Sequence, residues 1–470
     1  MPSECYDHDS RSRPPGPLGE PPAAGYRVRY RGLPRAERYR IGTALLMALA
    51  PALAGLLLLH MLWPTHWSHR GDGRRWLMLA DSVTLVSVAL LELFLLVHVL
   101  AVALAVSVAR DPVPVRPERG TGLAFLVTYL PGRDRLPAVR ATLEGAVRVR
   151  HPGPLDVWLL DESDDPEARM LCAELGVHHF TRLGVPEWNQ VKGPHRAGAR
   201  HGNYNAWLAK HGAAYDFFAS VATGHVPRPG FLERMTGYFR DPDIAFAVGP
   251  RVHRSAARAV TGSPHSLFHE LIQRAGNRYG APVLAGTGRV VRVTALRRAG
   301  GFHDSVAGDM ATGFELHRTR NPLTGRHWRS VHIPDAPAVE EVPAVPVHAF
   351  PQRLLRSREA YGVLLRQCGQ ALLRVPPGRL LGYTLTLVRR PVAAVGCLFG
   401  VLSCLPAFTH EALRPWAVLA MVTAFAPAMA RPVTLLRRRR ARAPRPVRAT
   451  EPAPAAATAA GTGSTPVPGL

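Results

Sequence analysis

Cysteine is scarce in this chain. Its five residues, Cys5, Cys172, Cys368, Cys397 and Cys404, are scattered, and no two form a CxxC pair. That pattern suggests neither a zinc site nor a disulfide framework, and it fits a reducing compartment for the soluble part. Acidic residues are also few, with 34 Asp and Glu against 58 Lys and Arg, for a formal net charge of +24. The excess is nearly all arginine, since lysine stands only at Lys192 and Lys210. Such a charge points to nucleic acid, an anionic membrane surface or phosphorylated ligands. Aromatics make up 7% of the chain. The arginines gather at the chain ends and beside apolar runs, without the interleaved aromatics that a nucleic-acid groove requires. The expected partner is therefore membrane lipid, and not nucleic acid.

Long apolar runs are present. Residues 41–63, IGTALLMALAPALAGLLLLHMLW, carry no formal charge and are long enough for a bilayer crossing, which needs roughly 20 apolar residues. They predict a transmembrane helix rather than a signal peptide, being too far from Met1 and lacking a cleavage pattern. A second crossing is expected over 84–108, with Glu92 turned toward protein because a carboxylate at that depth is costly in lipid. Two shorter runs, 392–408 and 416–430, predict a hairpin of two more crossings. Arginine-rich segments precede the first and third runs and follow the fourth. By the positive-inside rule they place those ends in the cytoplasm of a multi-pass inner (plasma) membrane protein. The region 121–370 is then a cytoplasmic domain. Residues 1–40 read as a basic, largely disordered N-terminus, and 431–470 as a basic then low-complexity disordered tail.

Within the soluble region, GLAFLVTYLP (122–131) reads as a buried strand and RLPAVRATLEGAVRV as an amphipathic helix. LDVWLLDESDD (155–165) is a second strand that ends in carboxylates, PEARMLCAELG a helix, and VHHFTRL a short strand. This alternation predicts an α/β fold with a parallel sheet and helices on both faces. Ligands in such folds sit at the carboxyl ends of strands, where Thr128, Tyr129, Asp161 and Glu162 fall. Taken alone, DESDDPE is equally a solvated helix start with an Asp or Ser cap. His265 and His269, one helical turn apart, read as packing residues rather than a metal pair.

Taken in order, FLVTYLPGRD, LLDESDDPEAR, ARHGNYNAWL, HVPRPGFLERMTGYFRDPDIAFAVGP, LAGTGRVVRVTALRRAGGF, GDMATGFELH and PQRLLRSREAYG resemble a membrane-embedded family 2 glycosyltransferase of the bacterial cellulose synthase kind. The resemblance is collinear over about 121–362. It implies a nucleotide-diphospho-sugar transferase domain of the GT-A type with flanking transmembrane helices, a UDP-sugar donor, a polysaccharide acceptor and partner subunits of a polysaccharide synthase complex. It also implies a bound Mg2+ or Mn2+. Carried across residue by residue, Thr128, Tyr129, Asp161, Glu162, Arg200, Asn203 and Gln352 would surround the nucleotide sugar. Asp309 would be the general base that takes the acceptor hydroxyl's proton, a role suited to a carboxylate.

The chain departs from the family at four places. Ala222 and Gly224 stand where two metal-binding aspartates belong, although His225 and the residues after it are kept. Gly308 replaces a glutamate beside the base. The QxxRW motif reads QRLLR, with Gln352 kept and Leu355 and Arg356 in the arginine and tryptophan places. Gly286–Gly288 lacks an asparagine and is followed by Arg289. Loss of a metal that stabilises transition-state charge by several kcal/mol costs roughly a thousandfold in rate or more. The alternative expectation is therefore a catalytically impaired relative that acts as a scaffold in such an assembly, unless Arg228, Arg289 or Arg356 supplies the missing positive charge to a diphosphate.

Overall fold

The computed structural model describes residues 17–22, 25–32, 52–53, 55–60, 62–63, 75–250, 252–253, 268–285, 288–304, 308–334, 338–340 and 376–388. The expected crossings at 392–408 and 416–430, much of 41–63, the tail, and Gln352, Leu355 and Arg356 lie outside the described residues.

The core element is β3, Leu123–Tyr129, in which all seven residues are buried. A continuous apolar run of this kind suits a strand covered on both faces. It pairs in parallel with β4 (Leu155–Asp161) on one side and β6 (Phe217–Val221) on the other. β5 (His178–Thr181), β8 (Ile244–Val248), β10 (Gly288–Arg292) and β11 (Arg329–His332) complete a seven-stranded sheet of order β11-β8-β10-β6-β3-β4-β5. The sheet is mixed, not parallel as expected, because β10 runs antiparallel to both β6 and β8. The five residues GRVVR carry burial but no direction. Direction is set by the connections, and an antiparallel neighbour needs no crossover helix.

Helices cover both faces. On one side lie α2 (Leu136–Val147), α3 (Pro166–Leu175) and α5 (Phe231–Thr236), packed on Phe125, Val127, Leu159 and Ala219. On the other, α4 (Arg200–Lys210) and α7 (Val293–Arg298) pack with Phe302 on Leu126, Leu160, Phe218 and Phe246. α3 shows why such segments stop where they do. Asp165 caps its start, Pro166 opens it and Gly176 closes it in the left-handed region, each the residue favoured for that position.

A third cluster joins the sheet domain to the long helix α1, Arg75–Val108. The end of α1 meets a π-turn (Phe268–Ile272), α6 (Gln273–Tyr279), α8 (Gly308–Arg318) and α9 (Pro377–Val388) around Ala105, Phe268, Phe314 and Tyr383. α1 starts well before the expected residue 84, and Ser82–Val108 within it has a mean hydropathy of 2.6. Glu92 is fully buried and its carboxylate oxygens have no hydrogen-bond partner, so it does face protein. Part of the N-terminus expected to be disordered is folded onto the domain. Residues 30–32 form β1 against β2 (Arg110–Pro112), and Arg27 bonds Asp241 at 2.7 Å and also Asp243.

Candidate functional site

After β5 the chain returns through α4 to β6 on the other side of β3, so the carboxyl ends of β3 and β6 part at a topological switch point, where α/β sheets bind ligands. β6 ends there in the turn from Ala222 to His225, closed by His225 N donating to the Ala222 carbonyl at 3.0 Å. Thr223 Oγ1 donates to the Thr128 carbonyl at 2.6 Å, and Gly224 N to Thr142 Oγ1 at 3.0 Å. The turn is thereby fastened to β3 and α2. His225 opens β7 (His225–Pro227), which forms a three-stranded sheet with β9 (Val252–His253) and β12 (Ala338–Glu340), and is buried. Thr128 is fully buried and its hydroxyl has no partner.

These residues do not fit a divalent metal. Ala222 and Gly224 offer no ligand, and Thr223's hydroxyl is committed to β3. Magnesium and manganese sites need carboxylate or other oxygen donors. Among the described residues, Asp161, Asp164 and His179 have donor atoms within 4.8 Å of one another, but they lie at the ends of β4 and β5. Both Asp161 oxygens are already used: Oδ1 accepts from Ser163 N and Oγ, and Oδ2 from Asp165 N and His179 Nε2. Burial alone would raise its pKa. The bonds from His179, Ser163 and Asp165 outweigh that and hold the carboxyl below its ordinary range.

The expected nucleotide contacts are likewise engaged within the protein. Tyr129 donates its hydroxyl to Asp165 at 3.0 Å, and its pKa is pushed up to about 12, first by burial and then by that bond. Glu162 receives a two-pronged contact from Arg182, at 2.6 and 3.0 Å, and a third bond from Gly198 N at 2.7 Å. Arg182 is fully buried and also donates to four main-chain carbonyls that follow it, those of Trp188, His195, Arg196 and Ala199. Arg200 pairs with Asp134 at 2.6 Å. Asn203 donates to the Leu160 carbonyl at 3.1 Å and leaves its own carbonyl oxygen unpartnered and buried. Among these residues Thr128 Oγ1, Asn203 Oδ1 and Arg200 Nε are buried polar atoms without a hydrogen-bond partner.

Asp309 stands in the first turn of α8 and is ion-paired with Arg289 of β10. Arg289 Nε also donates to Ser220 Oγ at 2.8 Å. The guanidinium lies 5.2 Å from the Tyr204 ring centre and 4.9 Å from that of Phe302, the geometry of a cation over aromatic faces. Burial would lower the Arg289 pKa. Asp309 and Tyr204 outweigh it and hold the residue charged. Sequence reasoning singled out Arg289 only as one of three candidate cations and missed Ser220, Tyr204, Phe302 and Arg182. Their roles depend on contacts from distant segments, and no local pattern carries them. Gly308 also has a structural reason, since a Cβ there would meet the His303 carbonyl oxygen at 2.5 Å.

No family model matches the chain. It is 27% identical over 223 residues to the cellulose synthase catalytic subunit (UDP-forming) of Xanthomonas axonopodis pv. citri, covering 44% of this chain and 28% of that protein. It is 26% identical over 237 residues to cellulose synthase 1 of Komagataeibacter xylinus, covering 46% of this chain and 14% of that one. The match thus spans well under a third of these relatives. Among solved structures, a mannosyltransferase from Pyrobaculum calidifontis in complex with GDP-mannose and Mn2+ overlays with a TM-score of 0.44 at 15% identity, over 80% of this chain and 98% of that one. Glucosyl-3-phosphoglycerate synthase from Mycobacterium tuberculosis, with Mn2+ and UDP, overlays at 0.37 and 13% identity, over 55% and 81%. In sequence the chain is cellulose synthase-like, similar over the matched stretch to family 2 glycosyltransferases.

Proposed function

We propose that the chain is a membrane glycosyltransferase that transfers a sugar from a nucleotide sugar, a UDP-sugar, to a growing β-linked polysaccharide on the cytoplasmic side of the inner membrane. The observation that supports this is a carboxylate and a guanidinium, Asp309 and Arg289, meeting at the crevice where the sheet changes direction. In the proposed reaction the acceptor hydroxyl oxygen attacks the anomeric carbon while Asp309 takes its proton. The bond from that carbon to the diphosphate breaks, and UDP leaves with the electron pair. The protein's contribution is orientation, a positioned base and charge at the leaving group. No step runs through a metal, because Ala222 and Gly224 stand where its carboxylate ligands would be needed.

A specific observation favours a second reading, a catalytically impaired partner within a polysaccharide synthesis or export assembly. Asp309 is ion-paired with Arg289, so its carboxylate is already engaged within the protein. The test is UDP release by the purified full chain in lipid vesicles, supplied with UDP-glucose or UDP-N-acetylglucosamine and an oligosaccharide acceptor. Release that disappears in Asp309→Asn is the expected result and overturns the second reading. No release from any UDP-sugar, with binding intact, overturns the first.

A further inference from the structure

Arg289 packs against the last residues of β6, just before the Ala222–His225 turn. Side chains alternate along a strand, so Phe218 and Ser220 point the same way, and Ala222 follows directly after the strand's end. Phe218 lies in the cluster that holds Tyr204 and Phe302, the two rings that flank the Arg289 guanidinium. Arg289 is directly opposite Ser220 in the β6–β10 register and bonds its hydroxyl. The guanidinium therefore lies at the carboxyl end of β6, bonded to a residue two positions before Ala222.

The two members of the ion pair are not equally fixed. The Arg289 side chain is 11% exposed and that of Asp309 45%. The arginine is clamped by two rings and a serine, while the carboxylate sits at the rim in the first turn of α8. A cation buried this deeply requires an anion beside it, and Asp309 is that anion. Arginine is suited to a diphosphate because its planar fork makes two parallel bonds to phosphate oxygens.

We infer that Arg289 is a built-in replacement for the divalent metal: it binds the diphosphate of the nucleotide sugar, and Asp309 is its counter-ion until the diphosphate arrives. The inference rests on the proposal that this crevice takes a nucleotide sugar. It also gives the carboxylate a timed role, since a diphosphate that occupies the guanidinium frees Asp309 to accept the acceptor's proton.

The test is calorimetric titration of the full chain in detergent with UDP and with inorganic pyrophosphate, in EDTA and again with Mg2+ or Mn2+. Equal affinity with and without metal is expected. Arg289→Met should weaken both ligands by about tenfold or more, the value of one lost charge-assisted contact. Asp309→Asn should tighten both severalfold by removing the competing anion, a direction that neither a structural nor a purely catalytic role of Asp309 produces. Binding that requires metal overturns the inference while leaving the nucleotide-sugar reading intact. No UDP binding in any condition overturns both. The comparison with and without metal uses the unaltered chain, so it decides the matter even if Arg289→Met fails to fold.

Discussion

Gly224 has φ of +84°, a backbone conformation open to glycine and, less readily, to Asp and Asn. A Cβ there meets nothing within 4 Å, so an aspartate has space but incurs strain. Restoring the family carboxylates with Ala222→Asp and Gly224→Asp together should therefore cost about 1 kcal/mol of stability, mostly at Gly224. It should also create a site that Mn2+ stabilises. Thermal unfolding with and without Mn2+ checks this: the double variant should rise in Tm on adding the metal and the natural chain should not. An equal rise in both would mean that a metal is held by other residues. Restoring the third lost carboxylate is a different matter, because Gly308→Glu drives a Cβ against the His303 carbonyl. The close approach of main chain at Gly308 belongs to this protein's own arrangement around Asp309, and single substitutions toward the family pattern do not reverse it.

Helix α1 shows its surroundings in its exposure. Val83, Val86, Leu90, Leu93, Val97, Leu100 and Leu104 are exposed and follow spacings of three and four, one continuous stripe on a helix. Leu85, Val88, Glu92 and Leu95 are buried on the other side. A helix this long and apolar with an uncovered stripe suits lipid on that side and protein on the other. Leu90→Arg and Val97→Arg together should hinder insertion of α1, since each arginine near mid-bilayer costs about 3 kcal/mol, and a cysteine placed at Leu100 should then react with a membrane-impermeant maleimide in sealed vesicles. Glu92→Gln, on the protein side, should leave that cysteine protected. Protection retained in the double arginine variant would show that the stripe faces protein. The apolar pattern made this helix legible in the sequence, as strand-length apolar runs did for β3 and β4. The direction of β10 was not legible, because a short buried strand reads the same both ways. Nor was the attachment of residues 25–32, whose anchor Arg27 meets Asp241 from 214 positions away. The candidate site divides in the same manner. Asp309 and the altered Ala222 turn follow from motif order, whereas Arg289 as the partner of Asp309, and Arg182 as that of Glu162, required the fold to bring separate elements together.

At the scale of the whole molecule, the sheet domain is joined to the helical layer by buried polar contacts that respond to pH. His317 of α8 is hydrogen-bonded through Nδ1 to the Tyr383 hydroxyl of α9 at 2.7 Å and through Nε2 to Ser330 of β11 at 2.9 Å. His332, the last residue of β11, is tied through its main chain to Asn277 of α6, whose Nδ2 also reaches Arg110 beside α1. Both imidazoles are buried, and burial lowers each pKa from 6.5 to about 3, with Arg379 adding to the effect at His317 and Arg274 at His332. A folded value below the unfolded one means that the unfolded chain takes up protons first as pH falls. The stability these residues contribute is complete above pH 6.5 and is lost progressively between 6.5 and about 3. At about pH 5 the loss is roughly 2 kcal/mol for each histidine, from the spacing between pH and the unfolded pKa. Urea unfolding of the detergent-solubilised chain across this range should therefore show a midpoint that declines with acidity, and His317→Gln should make that decline shallower by one group's share. A midpoint independent of pH between neutrality and about pH 5 would mean that these imidazoles accept protons without opening the seam between sheet and helices, and that the two layers are not held together through them.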